Sequence, residues 1–201
     1  MIIIGLAGGI GSGKSTVSAY LRSLDIPVFN AANAAKGVAV SKGSESLQKI
    51  AQIPGPESIL PNGELSRPWV AEKVFHDKAL LQQFEAILQE QVWNDVQAFL
   101  AFQKGCGAKV VFLDLPLMIE RGWHKIANSV WLIAVPKELR IQRAVQRDKH
   151  LPPETVVQRI NNQPPLSELR KYANVIIDNS GDFVHTKVQL LEQLRKVELG
   201  L

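Results

Sequence analysis

Residues 8 to 15 read Gly8-Gly9-Ile10-Gly11-Ser12-Gly13-Lys14-Ser15, a complete phosphate-loop pattern G-x-x-x-x-G-K-[ST]. The apolar run Ile2-Ile3-Ile4-Gly5-Leu6 precedes it, and Thr16-Val17-Ser18-Ala19-Tyr20-Leu21 follows as a helical pattern. Strand, glycine-rich turn and helix in that order put successive backbone N–H groups in one concavity at a helix N-terminus, where negative charge is favoured. The expected ligand is a nucleoside triphosphate. Gly8, Gly9, Ile10, Gly11, Ser12, Gly13 and Thr16 are expected to line its cradle, Lys14 to reach the β- and γ-phosphates, and the Ser15 hydroxyl to ligate Mg²⁺.

Apolar runs at Ile26–Phe29, Lys109–Leu113, Ser129–Val135 and Asn174–Ile177 supply four more strands. They are near-continuous rather than alternating, as strands of a parallel sheet covered on both faces should be. Helical patterns separate them, so the fold class is α/β, a doubly wound five-stranded parallel sheet. The longest helix spans about Lys78 to Gln103, with Leu81, Phe84, Leu88, Val92 and Phe99 on one face. Residues 53–63, with three prolines and Asn62-Gly63, read as a loop, and a second break falls at residues 161–165. The expected organisation is a core of 1–29, 105–146 and 172–201, a helical region of 30–104, and a lid at about 147–171.

The formal net charge of +4 is concentrated in this last third. Residues 137–171 hold eight Lys or Arg against four acids, an excess equal to that of the whole chain. A basic segment far in sequence from a phosphate loop suits a lid closing over polyphosphate. Interleaved aromatics are missing there, so no nucleic-acid partner is expected. No apolar stretch approaches the roughly 18 residues of a membrane span, and no basic leader precedes the first strand. A cytoplasmic protein is expected, with no membrane partner. The single cysteine, Cys106, excludes a disulfide framework. The four histidines and four tryptophans show no ligand spacing and read as structural or surface residues.

Asp114 ends the run Val110-Val111-Phe112-Leu113. A carboxylate at a strand's C-terminal end, in a chain with a phosphate loop, is placed to serve the metal side of phosphoryl transfer, or to cap a turn. Arg140, Arg143 and Arg147 step by three and four along one helix. Guanidinium forks there can meet phosphate charge, or form a solvated face with internal ion pairs. Asp148 stands beside Arg147 to hold it, and Arg159 is a further lid cation.

With these residues in place the chain resembles the dephospho-coenzyme A kinase family over nearly its whole length. The resemblance is carried by residues 4–17, by Asp114-Leu115-Pro116-Leu117-Met118-Ile119-Glu120, by Gln146-Arg147-Asp148 with Arg159 and Gln163, and by residues 173–181 with Asp178-Asn179-Ser180-Gly181. It implies transfer of the ATP γ-phosphate to the ribose 3′-hydroxyl of dephospho-coenzyme A, with Mg²⁺. It implies Lys14, Asp114 and Arg147 as catalytic residues, and Arg140, Arg147 and Asn179 as ATP contacts. Asn30, Lys36, Leu117 and Glu120 would touch the acceptor.

The chain also departs from the family. After the second strand the family carries Asp-Ala-Asp, two variable residues and Ala-Arg, where this chain has Asn30-Ala31-Ala32-Asn33-Ala34-Ala35-Lys36. The aspartate regarded as the base toward the acceptor falls on Ala32, which accepts no proton. Asn30 keeps shape and one acceptor oxygen without charge, and Lys36 keeps charge without a fork. The His-Pro pair of the long helix becomes Gln89-Glu90, and the Ala-Asp before the last strand becomes Ala173-Asn174. Three expectations follow: a kinase of this family with weakened catalysis, a nucleotide-binding homologue without transfer, or a kinase for another acceptor.

Overall fold

The structure is a computed structural model describing residues 1–31, 45–53 and 55–200. The chain forms two compact units, Met1–Phe29 with Gly107–Leu201, and Asn30–Cys106.

The first unit is built on the expected five-stranded parallel sheet. Strand β1 (Ile2–Ala7) runs into α1 (Lys14–Ser23), and β2 is Val28–Asn30. Strands β3 (Val110–Asp114), β4 (Ser129–Ala134) and β5 (Val175–Asp178) complete the order β2-β3-β1-β4-β5. β1 lies parallel between β3 and β4, with Leu6 opposite Asp114 and opposite Trp131. From β1 the chain goes out to the edge strand β2, returns to β3 beside β1, and then crosses to β4 and β5 on the other side. The C-terminal ends of β1, β3 and β4 therefore flank a topological switch point, where ligands of open α/β sheets bind. Residues 8–13 emerge from β1 at that point.

Both faces of the sheet are covered, which accounts for the unbroken apolar runs. On one face Trp131 and Ile133 join Ile4, Leu6, Phe112 and Ile177 under Val17 and Leu21 of α1 and Leu190 and Leu194 of the last helix (Phe183–Leu199). Phe112 and Trp131 meet edge to face at 5.2 Å between ring centroids, and neither is exposed. On the other face Val130 and Leu132 pack with Ala7 and Leu169. The alternation along β4 sends odd and even positions to opposite layers.

β2 begins two residues later than the apolar run suggests. Pro27 has no N–H to give a ladder, and its carbonyl accepts from Phe112 N (2.9 Å) just before the strand starts. Asp182 caps the last helix by accepting from Val184 N (3.0 Å).

The basic segment is helical in three pieces: α5 (Lys137–Arg147), α6 (Pro153–Asn161) and α7 (Leu166–Arg170), taking Glu45–Gln52, Arg67–His76 and Lys78–Gly105 as α2, α3 and α4. The last piece, after Pro164-Pro165, is a helix the sequence pattern leaves out. Ala144 of α5 packs with Val156 and Ile160 of α6.

In the second unit α4 presents Leu80, Leu81, Phe84, Ile87 and Leu88 to Leu47, Ile50, Leu65 and Val70. Further along the same helix Val92 and Val96 are buried. Asp77 opens α4 by accepting from Ala79 N and Leu80 N at 2.8 and 3.1 Å. Loop 53–63 contains one 3-10 turn, Pro56–Ser58, and closes at Asn62-Gly63 with Leu60 N donating to Glu64 O (2.8 Å).

Candidate functional site

A cleft of about 400 Å³ opens over the loop after β1. Loop residues 8–11 and 13–16 line it, with Pro116 and Leu117 after β3 and Arg143, Arg147 and Gln163 from the basic segment. That volume lies within the ordinary range for small-molecule sites. The expected phosphate-loop residues are thus brought together on one wall. Ser12 alone turns inward and is buried.

The loop's shape comes from glycines set against fixed partners. Gly13 has φ 83°, a left-handed conformation that disfavours a side chain, and a Cβ there would run into the Asn179 amide. Gly11, at φ 78°, faces the backbone carbonyl of Arg140 in the same way. Among the described residues the backbone N–H groups of Gly11, Gly13, Lys14 and Ser15 take no backbone acceptor, which is the kind of donor set an anion cradle at a helix N-terminus needs.

Lys14 opens α1 and its Nζ pairs with Oδ1 of Asp114, at the end of β3. The lysine side chain is partly exposed and the carboxylate is buried. Ser18, one turn along α1, donates to the other oxygen, Oδ2 (2.7 Å). Ser18 lies outside the phosphate-loop pattern and carries no motif signal, although its i+4 spacing from Lys14 puts both on one helix face.

Ser15 and Thr16 are exposed on the cleft wall. The Ser15 hydroxyl and the Asp114 carboxylate are hard oxygen donors of the type that Mg²⁺ takes alongside phosphate oxygens and water. Among the described residues no cluster of three or more His, Cys, Asp or Glu is arranged for a metal.

The three arginines of α5 do not act alike. Arg147 grips Asp148 through two bonds of 2.8 and 2.7 Å. The Asp148 carboxylate raises the guanidinium's affinity for its proton, and the guanidinium in turn holds the Asp148 carboxyl below the usual carboxylate range, in both cases chiefly through the hydrogen-bonded pair. Arg143 donates to the carbonyl of Asn179 (2.8 Å) and still faces the cleft. Arg140 is only 5% exposed and is absent from the cleft wall. Its Nε donates to Ile10 O (2.9 Å) and its Nη2 to Gln163 Oε1 (2.7 Å). Burial lowers its affinity for a proton. Arg140, expected at the nucleotide, is here a support behind the loop.

Asn179 is likewise buried. Its Nδ2 donates to Ser12 O (2.8 Å), and its Oδ1 accepts from the buried Thr186 hydroxyl (2.8 Å). With both ends of the amide engaged, Asn179 fastens the loop to the turn after β5. Thr186 carries no motif signal, because its partner lies on another element.

Leu117 adopts φ 52°, a left-handed backbone rare for a leucine, at the cleft rim. It and Glu120 also border a smaller hollow with Ala7, Gly8 and Met118. Asn30 ends β2, whereas Ala32 and Lys36 lie outside the described residues. Gln89 is half-buried on α4.

Relatives in sequence and in structure span nearly the whole chain. The sequence model of the family described as dephospho-CoA kinase matches residues 2–185. A dephospho-CoA kinase of Dehalococcoides mccartyi is 35% identical over 197 residues, covering 97% of this chain and 98% of that protein. One of Bacillus thuringiensis is 35% identical over 195 residues, covering 97% and 96%. A crystal structure from Thermus thermophilus superposes with a TM-score of 0.80 at 33% identity, covering 97% of each chain. Dephospho-CoA kinase from Campylobacter jejuni shares the fold, with a TM-score of 0.73 at 23% identity over 98% of each chain.

Proposed function

The chain belongs to the dephospho-CoA kinase family, and from that premise we propose that it transfers the γ-phosphate of ATP to the ribose 3′-hydroxyl of dephospho-coenzyme A. The observation that carries the donor half is the loop itself. Four backbone N–H groups without backbone acceptors, Lys14 at the helix start and two cleft-facing arginines converge on one concave wall. Phosphoryl transfer leans on positioning and on charge placed around the moving group, and this wall supplies both.

In the proposed reaction the 3′-oxygen bonds to the γ-phosphorus as the bond to the β–γ bridging oxygen breaks and ADP departs. The hydroxyl proton leaves to a base or to water. Lys14 exchanges Asp114 for phosphate oxygens when nucleotide enters, and Arg143 and Arg147 stand over the same oxygens from α5. Ser15 and Asp114 would hold Mg²⁺, which when bound neutralises and orients the phosphate oxygens. Asn179 and Arg140 act from behind, keeping the loop in shape.

The acceptor half is proposed to be weaker. Ala32 stands where the family is regarded as carrying its base, and Asn30 and Gln89 replace two further signatures. A general base contributes about 10²–10⁴-fold, so turnover slow by that factor is expected rather than none. The same substitutions favour a second reading, a family member that binds nucleotide but transfers no phosphate or uses another acceptor. A coupled assay of ADP release decides: release dependent on dephospho-coenzyme A supports the first reading. Tight ATP binding with no acceptor-dependent release across a panel of nucleotides and coenzyme A precursors rejects it.

A further inference from the structure

Ile10, at the tip of the phosphate loop, is held on three sides by the basic segment. Its N–H donates to Gln163 Oε1 (2.8 Å), and its carbonyl accepts from Arg140 Nε (2.9 Å). Its side chain packs into the cluster of Ala144, Val156 and Ile160, which joins α5 to α6. The two polar partners are themselves joined, because Gln163 Oε1 also accepts from Arg140 Nη2 (2.7 Å).

This arrangement has a chemical logic. Among the described residues Arg140 has no carboxylate partner, yet it is almost fully buried. A buried guanidinium needs hydrogen-bond acceptors, and two of its N–H donors meet neutral oxygens on either side of Ile10, the residue's own carbonyl and the Gln163 oxygen at its N–H. Gln163 contributes as an acceptor alone: one oxygen receives both the loop amide and the arginine. The amide of Ile10 is thereby turned out of the anion cradle, which is left to the N–H groups that follow it. Gln163 sits two residues beyond the end of α6, immediately before Pro164-Pro165, where the chain is stiff.

We propose that Gln163 is a positioning residue which, through Arg140 and Ile10, ties the end of α6 to the phosphate loop and sets the loop's affinity for ATP. The proposal rests on the reading of the loop as the ATP site. It makes nucleotide affinity depend on the oxygen at this position, not merely on a polar or well-packed side chain.

Three variants test it: Gln163→Leu removes the oxygen at similar volume, Gln163→Asn withdraws it by one methylene, and Gln163→Glu retains it. ATP affinity is read by calorimetry, kcat and KM for ATP by ADP release, and exchange of the loop amides by mass spectrometry. Leu and Asn are expected to weaken ATP binding about tenfold or more, the scale of stranding buried partners, and to raise KM for ATP more than they lower kcat. Exchange at Ile10 should quicken in both. Glu still accepts from both donors, so protection at Ile10 should stay parental in that variant, whatever its added charge on the cleft wall does to ATP affinity. Exchange at Ile10 quickened equally in all three, or parental affinity with parental Ile10 protection in both Leu and Asn, overturns the proposal. If the parent itself binds no ATP, the nucleotide reading fails, while amide exchange in the same variants still decides whether Gln163 holds the loop.

Discussion

Lys14 and Asp114, a hundred residues apart, form an ion pair at the root of the phosphate loop, and Ser18 holds the carboxylate's second oxygen. The pair joins the first residue of α1 to the last residue of β3, the two elements flanking the switch point. A buried carboxylate held from two sides is pre-aimed, which lowers the reorganisation needed when charge builds up nearby. Asp114→Asn is expected to keep ATP binding within a few-fold and to slow acceptor-dependent ADP release on the order of a hundredfold or more. Ser18→Ala should cost about 1–3 kcal/mol in chemical denaturation by leaving Oδ2 without that donor, with a smaller effect on turnover.

Asn179 depends on Thr186 for its orientation. Thr186→Val keeps the shape and removes the donor to Asn179 Oδ1, stranding a buried acceptor. A loss of about 1–3 kcal/mol in unfolding free energy is expected, together with weaker ATP binding as the Ser12 carbonyl loses its fixed partner. Thermal melts with and without ATP check this: the ligand-induced rise in Tm should shrink in the variant.

The acceptor side is tested by restoring charge. The double variant Asn30→Asp, Ala32→Asp should raise turnover with dephospho-coenzyme A by about 10²–10⁴-fold if a missing base limits the parent chain. No gain in kcat, with ATP binding intact, would argue for a different acceptor or for a role in binding alone.

Arg147 and Asp148 give a pH prediction. The Asp148 carboxyl is held below its ordinary 3.8, chiefly by the hydrogen bonds from Arg147. Its folded value is lower than its unfolded one, so the stabilisation is fully present above the unfolded value and is lost as pH falls through the folded one. The pair should therefore be intact across neutral and mildly acid pH and open only below the usual carboxylate range. An NMR titration of the Asp148 carboxyl should give a midpoint under 3.8, returning toward it in Arg147→Ala. Because Arg147 is exposed, the effect on global stability should stay below about 1 kcal/mol.

The sequence was most legible where chemistry and local geometry coincide. A strand, a glycine-rich turn and a helix within one short stretch define the cradle, because φ near 80° at Gly11 and Gly13 is a local demand. The sheet was legible too, since strands covered on both faces must be apolar at every position. Boundaries slipped where a single residue intervened, as Pro27 does before β2. The short helix Leu166–Arg170 escaped because its five residues carry too little periodicity to show.

By itself, then, the sequence determined the α/β class, the parallel sheet, the phosphate loop and the substitutions at Asn30 and Ala32. These depend on residue type and on spacing of a few positions. Only the tertiary structure decided which way each polar side chain turns. Arg140, Arg143 and Arg147 share spacing on one helix, yet one grips Ile10, one the Asn179 carbonyl and one its neighbour Asp148. Gln163 reaches Ile10 across 153 positions, and Asn179 reaches Ser12 across 167. A hydrogen bond needs its partner within about 3 Å, and only the closed fold sets that distance.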